Sequence, residues 1–264
     1  MSHERSASAH IPSIDEGAYP VPHPHAPEPP VTDTQARTAL ILGASRGLGL
    51  ALVEEYLRRD WHVVATVRSE TPTALAALAE ASEGRLRVEH ADIARGSDID
   101  ALRRTLDGTA FDLVFVNAGV MTQARDANGA TISDEEFAHV MATNVLGPMR
   151  VLEAFESLVP RSGTLGVMSS GLGSIANNAD GAWTVYRASK SALNQMLRSF
   201  ANARHGDPRA VLAIAPGWVR TDMGGADAAL SIEESIPRVV DVIEAHRGKA
   251  GAHYVNYQGQ TLPW

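Results

Sequence analysis

From Arg37 to the carboxyl end the chain alternates between short β-type apolar runs and longer stretches of helical period. The runs are Ala39–Leu42, His62–Val67, Arg85–His90, Leu113–Asn117, Thr164–Met168, Ala210–Ala215 and His253–Asn256. Between them lie Leu48–Arg59, Pro72–Ala81, Asp98–Leu106, Asp134–Leu158, Trp183–Ala203 and Ile232–His246, the last opened by a Ser231/Glu234 capping-box pair. Near-continuous apolar strands must be covered on both faces, and strand–helix alternation achieves this through parallel crossovers. The pattern predicts a doubly wound α/β fold with helices on both faces of a parallel sheet. No repeat or interior linker divides it, so 36–264 reads as a single domain.

Residues 1–35 are different. They hold seven prolines and four histidines, with PVPHPHAPEPP at 20–30, and few large apolar side chains. Such a segment buries too little surface to offset its ordering entropy, so a disordered, solvated tail is expected. Proline-separated His3, His10, His23 and His25 have no fixed geometry, and no metal site is expected. The absence of cysteine from the 264 residues excludes disulfide scaffolds, thiolate metal sites and cysteine nucleophiles. A formal net charge of −8 argues against a general grip on nucleic acid or anionic membrane. No apolar run suits a bilayer span, and the polar start does not read as a secretory signal. A cytoplasmic protein is expected.

Directly after the first strand comes Gly43-Ala44-Ser45-Arg46-Gly47-Leu48-Gly49, a GxxxGxG pattern opening a helix. Glycines there permit a tight turn and close backbone approach to a pyrophosphate, while the helix N-terminus offers N–H groups and a positive dipole end. The context fits a dinucleotide site of Rossmann type. In NAD-binding folds an acidic residue after the second strand holds the ribose hydroxyls, but here that strand ends Val67-Arg68. With Arg46 inside the glycine loop, two guanidiniums favour a 2′-phosphate, hence NADPH over NADH.

Tyr186 and Lys190 are spaced i, i+4, one helical turn apart. A phenol titrates at about 10. A positive charge roughly 4 Å away is worth about 4 kcal/mol at intermediate dielectric, or roughly 3 pKa units. The spacing therefore predicts a phenol poised for proton transfer. Polar groups and glycines also gather at other strand ends: Asn117-Ala118-Gly119, Met168-Ser169-Ser170-Gly171 and Pro216-Gly217 onward to Thr221.

Together these residues, with Asp92-Ile93 and Asn144, resemble a compact short-chain dehydrogenase/reductase across Thr38–Trp264. The stretch from Gly173 to Asn194 and the ending GQTLPW further resemble the C-factor/sniffer-like carbonyl reductase branch. The resemblance implies seven parallel strands and hydride transfer to a carbonyl, with Tyr186 as general acid. It implies that Lys190 lowers the Tyr186 pKa and holds the nicotinamide ribose, that Ser170 binds the substrate oxygen, and that Asn144 holds a water behind Lys190. Gly43, Ser45, Arg46, Gly47, Leu48, Gly49, Arg68, Asp92, Ile93, Asn117, Ala118, Gly119, Pro216, Gly217, Val219 and Thr221 would then form the cofactor site.

Three positions depart from the family pattern. Leu42 replaces a common threonine, Val116 replaces the first asparagine of NNAG, and sixteen positions rather than about thirteen separate Ser170 from Tyr186. That spacing leaves Ser169 as a rival to Ser170. The expected activity is NADPH-dependent reduction of small aldehydes or ketones by a homodimer or homotetramer. A short, flexible segment after Thr221 suggests an open substrate pocket. The alternative is a redox-sensing signalling or scaffold protein that binds the dinucleotide without important turnover.

Overall fold

The computed structural model describes residues 36–70 and 72–264; the expected Pro/His-rich tail lies outside the described residues. Seven strands form one parallel sheet: β1 (Thr38–Leu42), β2 (His62–Val67), β3 (Leu86–His90), β4 (Leu113–Val116), β5 (Thr164–Met168), β6 (Ala210–Ala215) and β7 (Gly251–Asn256). Their order is β3-β2-β1-β4-β5-β6-β7, as a doubly wound Rossmann fold requires. The order reverses beside β1, so its carboxyl end and that of β4 open a crevice.

The alternation of side chains along each strand builds two cores. In β1, Leu40 and Leu42 enter the layer beneath α3 (Gly96–Thr105), α5 (Gly147–Phe155) and α6 (Thr184–Asn202). Ala39 and Ile41 enter the opposite layer, beneath α1 (Gly47–Arg58), α2 (Thr73–Ala81) and α7 (Ile232–Ala245). All residues of β4, β5 and β6 are buried, which explains their unbroken apolar character. No described helix is long and apolar enough to cross a membrane.

Most boundaries fall within two residues of expectation, but the expected helix Asp134–Leu158 is broken. It comprises α4 (Asp134–Met141), a π-helical turn (Ala142–Leu146), α5 and a terminal 3-10 turn. Pro148 supplies the reason. It has no N–H to give the Asn144 carbonyl, and its ring crowds that carbonyl, so the ordinary i→i−4 ladder cannot run through. Gly147 allows the close docking that follows, since a Cβ there would sit 2.8 Å from the Ile93 carbonyl oxygen.

At α7, the Ser231 hydroxyl accepts from the Glu234 N–H at 3.2 Å, and the Glu234 carboxylate accepts from the Ser231 N–H at 2.7 Å. Ser231→Ala is expected to cost about 1 kcal/mol and lower the melting temperature by about 2–4 °C, whereas Ser231→Asp retains most of the cap. Thermal unfolding of both variants checks this.

Candidate active site

Three strands hold the glycine turn. The Gly43 N–H donates to Thr66 Oγ1 at 3.3 Å, and Asn117 Nδ2 donates to the Gly43 carbonyl at 2.9 Å. Gly43 has φ +88°, and a Cβ there would lie 2.7 Å from the Ala118 backbone. At Gly49 a Cβ would lie 2.0 Å from the Gly43 carbonyl oxygen, so α1 can approach β1 only without a side chain. Helix α1 starts with no side-chain cap and no acid in its first turn. Its N-terminal N–H groups and dipole are thus suited to an anion.

Above the turn lies a cleft of about 740 Å³. Ser45, Arg46, Gly47 and Leu48 line it from the turn and the start of α1, Arg68 from the end of β2, Asp92 and Ile93 from beyond β3, and Asn117, Ala118 and Gly119 from beyond β4. Arg46 Nη1 meets Asp222 Oδ2 at 2.7 Å with both side chains largely exposed. Asp92 turns inward instead: its carboxylate accepts from the Ala94 N–H at 3.0 Å, fixing the β3–α3 corner.

Pro216, Gly217, Val219 and Thr221 line the far end. The segment expected to be flexible is held by hydrogen bonds. Thr221 Oγ1 accepts from the Gly224 N–H at 3.0 Å, Trp218 Nε1 donates to the Gly224 carbonyl at 2.9 Å, and Leu230 brackets Arg220 and Trp218 through backbone bonds.

Ser170, Tyr186 and Lys190 share one wall of the cleft. Lys190 is 3% exposed, and Nζ donates to the Met168 carbonyl at 2.8 Å. Burial pulls this ammonium down to about 8. Its Nζ lies 5.8 Å from the Tyr186 ring centroid. The expected depression of the phenol is corrected by its burial, which pushes Tyr186 up to about 12, while the neighbouring Ser170 hydroxyl draws it partly back. Helical spacing carries no information on the desolvation of the phenol itself.

The two serines have different surroundings. Ser169 is buried and its Oγ donates to Asn194 Oδ1 at 2.7 Å. Ser170 is half-buried at the cleft, and its Oγ accepts from the Leu172 N–H at 3.2 Å. Asn144, fully buried in the π-helical turn, donates to the Val120 carbonyl and Ser189 Oγ and accepts from the Val120 N–H. Both its amide donors are thus engaged, and its side chain binds the turn after β4.

Sequence reasoning missed several contributors. Thr66 supports Gly43 from β2, and the Tyr254 hydroxyl donates to the Ser170 carbonyl from β7. Neither position carried a motif. Thr143 also lines the cleft, and its buried hydroxyl has no partner among the described residues; its place beside Asn144 was the available signal. Trp183 lines the cleft with φ +62°, left-handed backbone that an ordinary residue seldom adopts.

Residues 37–229 match the family described as short chain dehydrogenase. The chain is similar to a Burkholderia multivorans short-chain dehydrogenase/reductase with bound NADP, at 51% identity and TM-score 0.85, covering 87% of this chain and 100% of that one. It is also similar to a Pseudomonas aeruginosa PAO1 carbonyl reductase in complex with NADP, at 35% identity and TM-score 0.81, covering 87% and 100%. The Myxococcus xanthus protein named C-signal is 34% identical over 161 residues, 58% of this chain and 92% of that protein.

The buried ammonium has a measurable cost. Because folding lowers the Lys190 pKa from 10.5 to about 8, the unfolded chain holds this proton more tightly, and the penalty fades as pH rises from 8 to 10.5. Lys190→Met should be about 1–3 kcal/mol more stable than wild type at neutral pH, after allowing for the lost Met168 bond. Urea unfolding across that pH range should show the gap closing.

Proposed function

The chain belongs to the short-chain dehydrogenase family, and on that premise we propose that residues 36–264 are an NADPH-dependent carbonyl reductase converting aldehydes or ketones to alcohols. The observation that carries this reading is the meeting of Ser170, Tyr186 and Lys190 in the cleft that begins at the glycine turn. The residues present fit a dinucleotide. The bare backbone at Gly43 and the uncapped start of α1 lie at the same cleft.

In this reading Gly43, Ser45, Gly47 and Leu48 hold the pyrophosphate, with Gly49 allowing α1 to approach. Arg46 and Arg68 receive the 2′-phosphate, which competes with Asp222 for Arg46. Asp92 and Ile93 border the adenosine, Asn117, Ala118 and Gly119 the middle, and Pro216, Gly217, Val219 and Thr221 the nicotinamide end. Tyr186 and Lys190 hold the nicotinamide ribose.

A bound nicotinamide supplies the hydride that reaches the carbonyl carbon. Ser170 Oγ orients the carbonyl oxygen, and the Tyr186 hydroxyl gives that oxygen its proton. A phenol at about 12 keeps its proton at neutral pH, so the donor is loaded. Lys190, at about 8, remains mostly charged there and stabilises the phenolate left after transfer. Asn144 positions the Val120 turn and, through Ser189, the start of α6.

We place the protein in the cytoplasm as a homodimer or homotetramer. The exposed Phe137 and Met196 on α4 and α6 favour association through those helices. The likeness to C-signal favours a second reading, a signalling protein that binds the dinucleotide without important turnover.

NADPH oxidation over a panel of aldehydes, ketones and quinones tests the choice. Tyr186→Phe should lower kcat by about 10²-fold or more while binding NADPH near normally. Reduction at the wild-type rate would overturn the catalytic reading, and no turnover by wild type would favour the second. Arg68→Ala should raise KM for NADPH by about tenfold and leave that for NADH nearly unchanged.

A further inference from the structure

The geometry points to Arg125 as a specificity residue selecting carbonyl substrates that carry a carboxylate beyond an apolar body. This rests on the carbonyl-reductase reading and adds the substrate class to it. Arg125 lies in the loop between β4 and α4, outside every motif described above. Its guanidinium carbon is 5.0 Å from the Trp183 ring centroid, and Nη2 donates to the Met223 carbonyl at 3.3 Å. A Cβ added at Gly225 would come within 3.4 Å of the same nitrogen. Three loops thus meet on one side chain: that after β4, the lengthened loop before α6, and that after β6.

Two properties separate this arginine from a mobile surface charge. Stacking on an indole and one carbonyl bond restrict its planar fork, so less freedom is lost when a ligand binds. One of its five N–H donors is used at Met223, which leaves others for a two-point bond to a carboxylate. Three acids of the neighbouring loops face other cations: Asp222 faces Arg46, Asp180 faces Arg187, and Glu234 faces Arg220. Among the described residues Arg125 makes no ion pair. Arg125 is itself exposed, but the residues it touches, Trp183 and Met223, line the cleft, so in a chain of net charge −8 it sets a cation beside that lining.

The path from Tyr186 to this cation is apolar. Met121, Leu172, Trp183 and Met223 line it. Trp183 stands immediately before α6, three positions ahead of Tyr186, and the guanidinium carbon lies 5.0 Å from its ring centroid. An apolar body such as an aromatic ring with a short unsaturated chain suits this lining between the carbonyl and the carboxylate.

The test compares 4-carboxycinnamaldehyde with its methyl ester, which keeps the body and removes the charge. Wild type, Arg125→Met and Arg125→Lys are assayed with saturating NADPH. Wild type should prefer the acid by about tenfold in kcat/KM, and high salt should shrink that preference. The preference should disappear in Arg125→Met, which retains an apolar stem over Trp183, and return only in part in Arg125→Lys, which restores the charge without the planar fork. An equal acid-to-ester ratio in wild type and Arg125→Met, or a preference for the ester in wild type, overturns the inference while leaving carbonyl reduction intact.

Tryptophan quenching by 4-carboxycinnamyl alcohol on the NADP-loaded protein gives a readout independent of turnover. Tighter binding to wild type than to Arg125→Met supports the inference even if neither aldehyde is reduced, a result that would remove the reductase reading alone. Equal binding to the two proteins, or no binding to either, overturns the inference.

Discussion

A buried ammonium organises this cleft. Lys190 leaves water to lie against one backbone carbonyl, that of Met168, where β5 ends. A charge so placed costs several kcal/mol unless its surroundings hold it. The surroundings are correspondingly close: a Cβ at Gly119 would come within 3.5 Å of Nζ, and one at Gly173 within 3.1 Å of the Lys190 Cβ. The charge that burdens the fold at neutral pH is also the charge available to a phenolate at Tyr186.

The two ends of the cleft are built from different materials. The phosphate end is backbone, arranged by glycines and fixed by Thr66 and Asn117 from neighbouring strands. The chemical end is side chains on α6 and the β5 extension, supported by Tyr254, Asn194 and Ser189. The parallel sheet joins them, because parallel strands bring all their carboxyl ends to one edge. The broken helix at Ala142–Leu146 also serves that edge, bringing Asn144 against Val120 and Ser189.

Much of this was legible in the residue order. Strand positions followed from apolar runs, the α1 start from its glycines, and the Tyr186–Lys190 pair from helical spacing. The π-helical break was legible in principle at Pro148, but the apolar periodicity continued across it and hid the interruption. The direction of the Tyr186 shift was not legible, because it depends on burial produced by the whole cleft. Spacing also could not separate Ser169 from Ser170; their difference arises from Asn194, twenty-five positions away from Ser169. The Arg125–Trp183 contact joins two loops, where no periodicity predicts proximity.

The titration of Lys190 tests the central claim most directly. The chain has only two lysines, and Lys249 is exposed, so carbon-13 labelling at lysine Cε yields two readily distinguished resonances. Following both by NMR as pH rises should show Lys190 losing its proton at about 8. A midpoint at the ordinary lysine value of 10.5 would show that the ammonium is not desolvated, and would contradict this account of the cleft.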